Sequence, residues 1–586
     1  MNLPLVGKCL RILGVLHCML MPVMWAQDMP DVSIEVWGGE RPKSIDRYTR
    51  RLQAKDSIQR IAVIKQMLSE LREEGYLLAS IEDLKGDSNH VEVNLYLGNK
   101  YQWANLDAGN VDEIVLSKVG YRERLYRSRP FKYREVNHLM EEILSFSEDN
   151  GYPFAMVKLD SVGLSDHGIS ASLNLEKGPY ITFDSLEITG TTKTKQKYLS
   201  QYLRIIPHKA YNQQRVSHSI KRIEKLGYLD LLNSPYATFQ NSQGKVYFEL
   251  EDIKANQFDF LLGFFPNESA KGNLLLTGKF DLSLKNLFGS GKDFGINWEK
   301  IREETSQFNL NYFHPNLFRS SIDFSMRFNL LRQDSTYINR NFGFDLIYEP
   351  GIKHRLKLST DFESTNLLST KQFQDLTVLP DFADVDITYY GIGYQYSDLD
   401  NQIAPKKGWH AGISSEIGDK RINKNSGLNP ELFDSLDLRN IQWRFESHLQ
   451  RHTKLGQVWV LFTGLSAGLI ENENLFLNEM FRVGGLNSLR GFSQNFFFAS
   501  EYVLSNLELR LFFESNSHLF VFYDQSFLRF ELENSEFEDY PLGVGMGLRL
   551  QLPQGVFNLV YGLGKYEDQP LSFNLSKIHF GYVSKF

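Results

Sequence analysis

The chain has 586 residues, with 64 Lys and Arg against 71 Asp and Glu, a formal net charge of −7 at pH 7. That length implies several domains, and so modest a charge gives no sign of nucleic-acid binding. The two cysteines, Cys9 and Cys18, both lie near the N-terminus, which excludes a disulfide framework or a thiolate metal site in the rest of the chain.

The chain opens with Lys8 and Arg11, continues as a mostly apolar run over residues 12–25 and reaches Ala26-Gln27-Asp28. This layout predicts a secretory signal peptide over residues 1–26. Cys18 is a candidate for lipid attachment, but Val15-Leu16-His17 precede it where a small residue is expected. Beyond the leader no run of 18 or more apolar residues occurs, so no transmembrane helix is expected. The chain nevertheless holds 43 Phe and 28 Tyr. Export without a spanning helix leaves a large secreted all-β protein or an outer-membrane barrel.

Gly-Tyr recurs at Gly75-Tyr76, Gly151-Tyr152 and Gly227-Tyr228, 76 residues apart each time. A fixed period marks an internal repeat. Eleven residues before each glycine stand Ile64, Met140 and Val216, and seven before stand Leu68, Leu144 and Ile220. That spacing places them on one helical face, and the glycine is expected to stop the helix in the left-handed conformation. Alternating strand pairs follow, ending near 91–97, 169–175 and 245–250, and a short strand opens each unit, as at 33–36 and 186–188. The unit order is strand, helix, helix, strand, strand. It resembles the polypeptide-transport-associated (POTRA) domain, with copies expected over 27–101, 102–180 and 181–256. The first two share Gly-Tyr-x-x-Ala, ending at Ala79 and Ala155, whereas the third has Leu231 there. Sugar-binding or spacing modules are the alternative. The resemblance implies exposed sheet edges to which an extended client segment adds as a strand.

From Gln257 to Phe586 the period changes to two. Leu542, Val544, Met546, Leu548 and Leu550 alternate with Gly543, Gly545, Gly547, Arg549 and Gln551. Ile322, Phe324, Met326, Phe328 and Leu330 alternate with polar neighbours, and Ile578, Phe580 and Tyr582 alternate with Lys577, His579 and Gly581. A lipid-facing outside and a wet lumen give this pattern, as does a soluble sandwich with the faces exchanged. Connection lengths separate the two. Short connections near 315–316, 350–351, 515–517 and 553–554 alternate with long ones near 364–384, 419–435, 471–495 and 525–540. Short periplasmic turns and long external loops are the barrel signature. The expected architecture is α+β POTRA repeats followed by a roughly 16-stranded antiparallel transmembrane β-barrel over 257–586.

Residues 481–492, Phe-Arg-Val-Gly-Gly-Leu-Asn-Ser-Leu-Arg-Gly-Phe, occupy the sixth external connection on this count. The pair Gly484-Gly485 permits close backbone approach, and Arg490 supplies a rigid fork that seeks a carboxylate. Here the chain resembles the outer-membrane assembly superfamily of BamA and TamA, whose Arg-Gly-aromatic loop tip is matched by Arg490-Gly491-Phe492. A second family motif, Phe-x-Asp-x-Gly on the thirteenth strand, is matched by Phe522-Tyr523-Asp524-Gln525-Ser526, with Ser526 in place of glycine. The resemblance implies that the loop folds into the lumen and that Arg490 engages Asp524, a structural or gating contact and not a catalytic one. Three repeats and this chain length most resemble the TamA branch. The terminal aromatics Phe580, Tyr582 and Phe586 resemble the signal by which outer-membrane barrels are recognised for insertion.

Two motifs are set aside. Gly464-Leu465-Ser466-Ala467-Gly468 spells the hydrolase nucleophile elbow but lies within an expected strand with no helix after it. Gly289-Ser290-Gly291-Lys292-Asp293 lacks the glycine and hydroxyl residue of a phosphate loop. No enzyme activity, catalytic residue, cofactor or metal is expected, and the function implied by the resemblance is insertion or translocation of other proteins at the outer membrane. Expected partners are unfolded outer-membrane or secreted clients, outer-membrane lipid and a periplasm-spanning inner-membrane partner, with no nucleic acid. The alternatives are a dedicated two-partner-type secretion pore and a passive outer-membrane channel. Strands 1 and 16 are expected to meet at a poorly paired seam, lightened by Gly581 and Gly562–Gly564.

Overall fold

The computed structural model describes residues 31–585 apart from 54–56, 87–89, 166–167, 267–273, 303–304, 371–378, 402, 533–534, 553–554 and 568. The expected signal peptide and the terminal Phe586 lie outside the described residues. The chain forms two compact units, one ending at Tyr180 and one beginning at Ile181.

The first unit contains two α+β sandwiches of the same topology. In the first, Asp31–Trp37 runs parallel to His90–Tyr96, which pairs antiparallel with Ser80–Gly86. In the second, Trp103–Asp107 runs parallel to Gly168–Glu176, which pairs antiparallel with Met156–Ser165. Helices Ser44–Gln53 and Ser57–Glu73 cover the first sheet, and Glu113–Lys118 and Tyr133–Asp149 belong to the second. Each sandwich has its own buried core. The third, which opens the second unit, repeats the plan: Thr182–Gly190 runs parallel to Gln243–Asp252, with helices Gln196–Leu203 and Gln213–Leu226.

Gly75, Gly151 and Gly227 all have positive φ, at 108°, 95° and 69°, and end the three long helices. Of the face expected from the sequence, Ile64 and Val216 are buried, and the most buried stripe runs one position further round. Met67 and Leu71, Ile143 and Ser147, and Ser219 and Ile223 are the buried pairs, eight and four residues before each glycine. Met140, Leu68, Leu144 and Ile220 lie at its margin. After the first two glycines a turn brings the amides of Ala79 and Ala155 onto the Tyr76 and Tyr152 carbonyls, at 3.0 and 3.1 Å. After Gly227 the chain enters strand Leu229–Leu231 at once, which is why the alanine is not needed there.

The rest of the second unit is an antiparallel barrel. In chain order its strands are Gln257–Pro266, Leu274–Leu287, Lys292–Arg302, Thr305–His314, Ile322–Gln333, Tyr337–Tyr348, His354–Leu367, Asp384–Ser397, Gly408–Asn423, Arg439–Leu455, Trp459–Glu471, Glu501–Phe512, His518–Glu531, Glu536–Asp539 continued as Leu542–Leu552, Gly555–Lys565 and Lys577–Lys585. Counting the interrupted strand once gives sixteen. Outward positions such as Tyr390, Ile392, Trp443 and Met546 are exposed and apolar. Inward positions carry a polar network, in which Asn309 donates to Asn297 at 3.1 Å and Arg327 to Asp361 at 3.0 Å. Ser466 of the hydrolase-like pentapeptide sits mid-strand, paired with Leu504.

Two connections differ from expectation. The region 525–540 is not a long loop: strand 13 continues to Glu531 and strand 14 begins at Glu536, because Phe530 and Phe537 stack across the hairpin at 5.5 Å. On the short-turn side, 398–407 is a ten-residue turn. It is ordered by its own acids, with Asp400 Oδ1 accepting the amides of Lys406 and Lys407 at 2.9 and 3.0 Å.

The third sandwich is seated on the short-turn rim of the barrel. Lys225 pairs with Glu349 at 3.0 Å, Arg204 donates to the Glu349 carbonyl at 2.6 Å, and the Lys195 amide donates to the Gly289 carbonyl at 2.8 Å. A Cβ at Gly291 would lie 2.0 Å from the Tyr198 ring, so the Gly289-Ser290-Gly291 turn is the bare surface that lets the two meet. Burial pushes the Tyr198 and Tyr202 hydroxyls well above the ordinary tyrosine range, so this contact is made by neutral phenols.

Candidate functional site

The longest connection, 472–500, joins strands 11 and 12. Within it Phe481–Val483 pairs with Phe497–Ala499, making a small ladder from which the tip projects. Gly484 and Gly485 follow the ladder with φ of 126° and 101°. A Cβ on Gly485 would meet the Gln494 side chain at 2.1 Å, and one on Gly484 the Ser493 carbonyl oxygen at 2.8 Å. The turn closes when Gly484 donates to Ser488 Oγ at 2.9 Å and Gly485 to the Leu489 carbonyl at 3.0 Å. It presents Leu489, Arg490, Gly491 and Phe492 as one buried tip.

Arg490 is 5% exposed and Asp524, on strand 13, is fully buried. Arg490 Nε donates to Asp524 Oδ2 at 2.7 Å, Nη2 to Oδ1 at 2.6 Å, and the Arg490 backbone amide to Oδ2 at 3.1 Å. Nη1 donates to Glu508 on strand 12. Register explains the convergence. Asn506 lies opposite Asp524 and donates to it at 2.8 Å, and also to the Ser488 carbonyl at 3.0 Å. Glu508 lies one inward step further along strand 12, where Arg510 Nε donates to it at 2.7 Å. The guanidinium also lies over the Phe522 ring, 3.9 Å from its centroid. Two cations therefore meet two carboxylates in a site closed to solvent, where bidentate charge-assisted bonds are strongest. Sequence reading supplied Arg490 and Asp524. It missed Glu508, Asn506 and Arg510, whose place depends on strand register.

Strands 14 and 15 continue the wall beside strand 13, where Gly543 is the register partner of Asp524. Gly543 pairs with Gly564 and Gly545 with Gly562, leaving a patch without side chains. The tip lies on it: a Cβ on Gly543 would stand 2.0 Å from the Arg490 carbonyl oxygen, and one on Gly564 would stand 2.7 Å from that of Gly491. Gly491, at φ 91°, in turn has the Leu563 carbonyl 2.6 Å from its Cβ position. Gly562 and Gly564 thus serve the loop and not the seam, a correction to the sequence expectation, whereas Gly581 faces open space. The alternating glycines 543, 545, 562 and 564 were the visible signal.

Phe492 packs among Phe496, Phe497 and Tyr566, with centroids 5.9, 5.0 and 6.1 Å away. Ser526 is buried where the family motif has glycine. Its amide donates to the Pro541 carbonyl at 2.9 Å, beside the break in strand 14, and the tip contacts Asp524 without needing a glycine there. On the last strand Phe580 is exposed and meets Phe557 at 5.3 Å, and Tyr582 lies opposite Phe557.

A second contact fixes the base of the loop. Lys420 of strand 9 and Glu479 are both buried and lie 2.7 Å apart. Asn478 receives the Ala383 amide on Oδ1 and donates to the Ala383 carbonyl, each at 3.1 Å. Leu379, Ile422, Leu428, Phe433 and Phe476 close an apolar cluster around them. Among the described residues no group of three or more His, Cys, Asp or Glu is placed to hold a metal ion.

The family described as Omp85 superfamily domain matches residues 286–585, and the POTRA family, described as surface antigen variable number repeat, matches residues 181–251. Outer membrane protein assembly factor BamA from Neisseria meningitidis serogroup B is 22% identical over 228 residues, which is 38% of this chain and 27% of that protein. The aligned part thus spans about a quarter of that relative's length. The structure of CdiB from Escherichia coli superposes with a TM-score of 0.53 at 12% identity, covering 93% of this chain and 98% of that one. CdiB from Acinetobacter baumannii gives 0.52 at 12% identity, covering 93% and 99%. These two likenesses are of fold. With the family match extending over half of its length, the chain belongs to the Omp85 superfamily and is an outer-membrane β-barrel preceded by a periplasmic POTRA region.

Proposed function

We propose that this protein is a non-enzymatic factor that inserts or translocates other proteins at the outer membrane. The observation that carries the reading is the seam. Among the described residues strands 1 and 16 pair over two residue pairs, Gln257 with Lys585 and Phe258 with Ser584, whereas strands 15 and 16 share eight. Unpaired backbone in lipid is costly, so a client strand that supplies the missing bonds is stabilised as it folds. The sheet edges of the POTRA region offer the same chemistry to unfolded clients in the periplasm. The anchored loop keeps the lumen wall in one arrangement while the seam opens, and client folding supplies the drive.

The test is quantitative outer-membrane proteomics after depletion of the protein. Loss of several unrelated barrels or surface proteins is the expected result. Loss of one secreted protein alone would identify a dedicated secretion pore, and an unchanged proteome with altered solute permeability would identify a passive channel; either outcome overturns the proposal.

A further inference from the structure

Two of the short periplasmic turns carry one triplet. Asn286-Leu287-Phe288 leads from strand 2 toward strand 3, and Asn316-Leu317-Phe318 leads from strand 4 toward strand 5. In both, the asparagine and the phenylalanine have positive φ, 52° and 56° in the first and 52° and 51° in the second. In both, an aspartate seven residues on takes the asparagine amide: Asp293 Oδ1 from Asn286 at 3.2 Å and Asp323 Oδ1 from Asn316 at 2.8 Å. In both, the asparagine carbonyl accepts the amide three residues later, from Gly289 and from Arg319, each at 2.9 Å. A bulky residue at positive φ is an outlier and persists only where its surroundings hold it. Here the same clamp does so twice. The outcome is a phenylalanine turned into solvent, Phe288 at 83% and Phe318 at 93% exposure, the highest values among the large apolar side chains described.

The surroundings of these rings identify their partner. The clamping acids point inward, since Asp323 lies opposite the buried Ile347. By alternation the outward positions at this rim are Lys292, Tyr312 and His314, continuous with the lipid-facing Phe294 and Phe324. Lys292 lies one step past the Asp293–Phe313 pair, beside His314, and the Tyr312 hydroxyl meets His314 Nδ1 at 3.0 Å. Arg319 directly follows Phe318 and is exposed. Neither Lys292 nor Arg319 has a carboxylate partner among the described residues. Exposed rings flanked by unpaired cations, on a rim continuous with an apolar band, match a phospholipid interface, where rings seat at the acyl boundary and cations reach phosphate.

We propose that the twin Asn-Leu-Phe turns form an interfacial site for anionic phospholipid in the periplasmic leaflet. Phe288 and Phe318 enter the headgroup–acyl boundary, and Lys292 and Arg319 take the phosphate oxygens. The first turn also holds the third POTRA sandwich: Asn286 Nδ2 donates to Thr194 Oγ1 at 2.8 Å, and the Gly289 carbonyl accepts the Lys195 amide. Lipid contact there sets the height of that sandwich below the bilayer. The proposal rests on the barrel lying in a membrane and not on the assembly role.

The test uses nitroxide labels on Phe288→Cys and Phe318→Cys, with Gln457→Cys in the turn between strands 10 and 11 as reference and with Cys9 and Cys18 replaced by Ala. The protein is reconstituted in phosphatidylethanolamine vesicles with and without phosphatidylglycerol. At 288 and 318 oxygen accessibility should exceed that of a water-soluble nickel chelate, with the reverse at 457. Phosphatidylglycerol should deepen both labels, and Lys292→Glu with Arg319→Glu should abolish that deepening. Nickel accessibility equal to that at 457, or labels screened from both reagents by protein, would overturn the site. A depth indifferent to phosphatidylglycerol would overturn the anionic headgroup assignment.

Discussion

Replacing Arg490 by Ala removes two side-chain hydrogen bonds from Asp524 and one from Glu508. Part of the site compensates: Asn506 still donates to Asp524, Arg510 still pairs with Glu508, and the residue 490 amide keeps its bond. What is left over is one negative charge in a closed pocket formerly holding two of each sign. Breaking a buried pair from one side costs about 3–5 kcal/mol, and the retained donors place this case near the lower end, about 3 kcal/mol. At ~1.4 kcal/mol per decade that is roughly a 100-fold rise in the undocked loop. Arg490→Lys keeps the charge but not the fork, so the rise should be nearer tenfold, about 1.4 kcal/mol. Hydrogen exchange of peptides spanning residues 484–492, in lipid nanodiscs, reads this directly, because the Gly484, Gly485 and Arg490 amides are all bonded. Unchanged exchange in Arg490→Ala would refute the idea that this cluster holds the loop.

Further outcomes follow from the same geometry. Gly543→Ala should undock the tip with every charge in place, because its Cβ would stand 2.0 Å from the Arg490 carbonyl oxygen; the same exchange experiment checks it. Glu479→Gln should lower the unfolding temperature of the barrel, since it leaves the buried Lys420 ammonium without its carboxylate at a cost of about 3 kcal/mol or more. Burial pushes the Glu349 carboxyl up, but Lys225 and Arg355 outweigh it and hold the group below its ordinary 4.5. Its contribution to seating the third POTRA sandwich is therefore present above pH 4.5 and lost as pH falls through the lower, folded value. Distance measurements between spin labels on the sandwich and the barrel rim should broaden in that window, and Lys225→Met should remove the dependence. Phe580→Asp, or removal of Phe586, should lower the amount of the protein recovered in the outer membrane; unchanged levels would show that the last strand is not read as an insertion signal.

The barrel was legible because its period of two is imposed by lipid on one side and water on the other, so positions such as Phe324, Met326 and Phe328 reveal their face without knowledge of neighbours. The repeats were legible from one conformational demand, a left-handed glycine after a long helix. Counting from that glycine found the buried Ile64 and Val216 but not Met67 and Ile143, since which side chains reach deepest is set by packing and not by the stop. Arg490 and Asp524 came from local motifs. Glu508 and Asn506 did not, because nothing local marks which residue of strand 12 will face Asp524. The pair Lys420–Glu479 was equally hidden, joining a strand to a loop 59 residues away. Glycines 562 and 564 were seen but misassigned, as an absent side chain reads alike for a weak seam and for a surface cleared for a loop tip.

The seam can be locked. Phe258 and Ser584 are paired across it, so Phe258→Cys with Ser584→Cys, in protein whose Cys9 and Cys18 are replaced by Ala, places a disulfide between strands 1 and 16. The measurement is the rate at which an unfolded small outer-membrane barrel inserts into vesicles containing the oxidised or the reduced protein. The expected result is acceleration by the reduced form, none by the oxidised form, and recovery on adding reductant. Equal acceleration by both forms would show that clients do not enter through this seam.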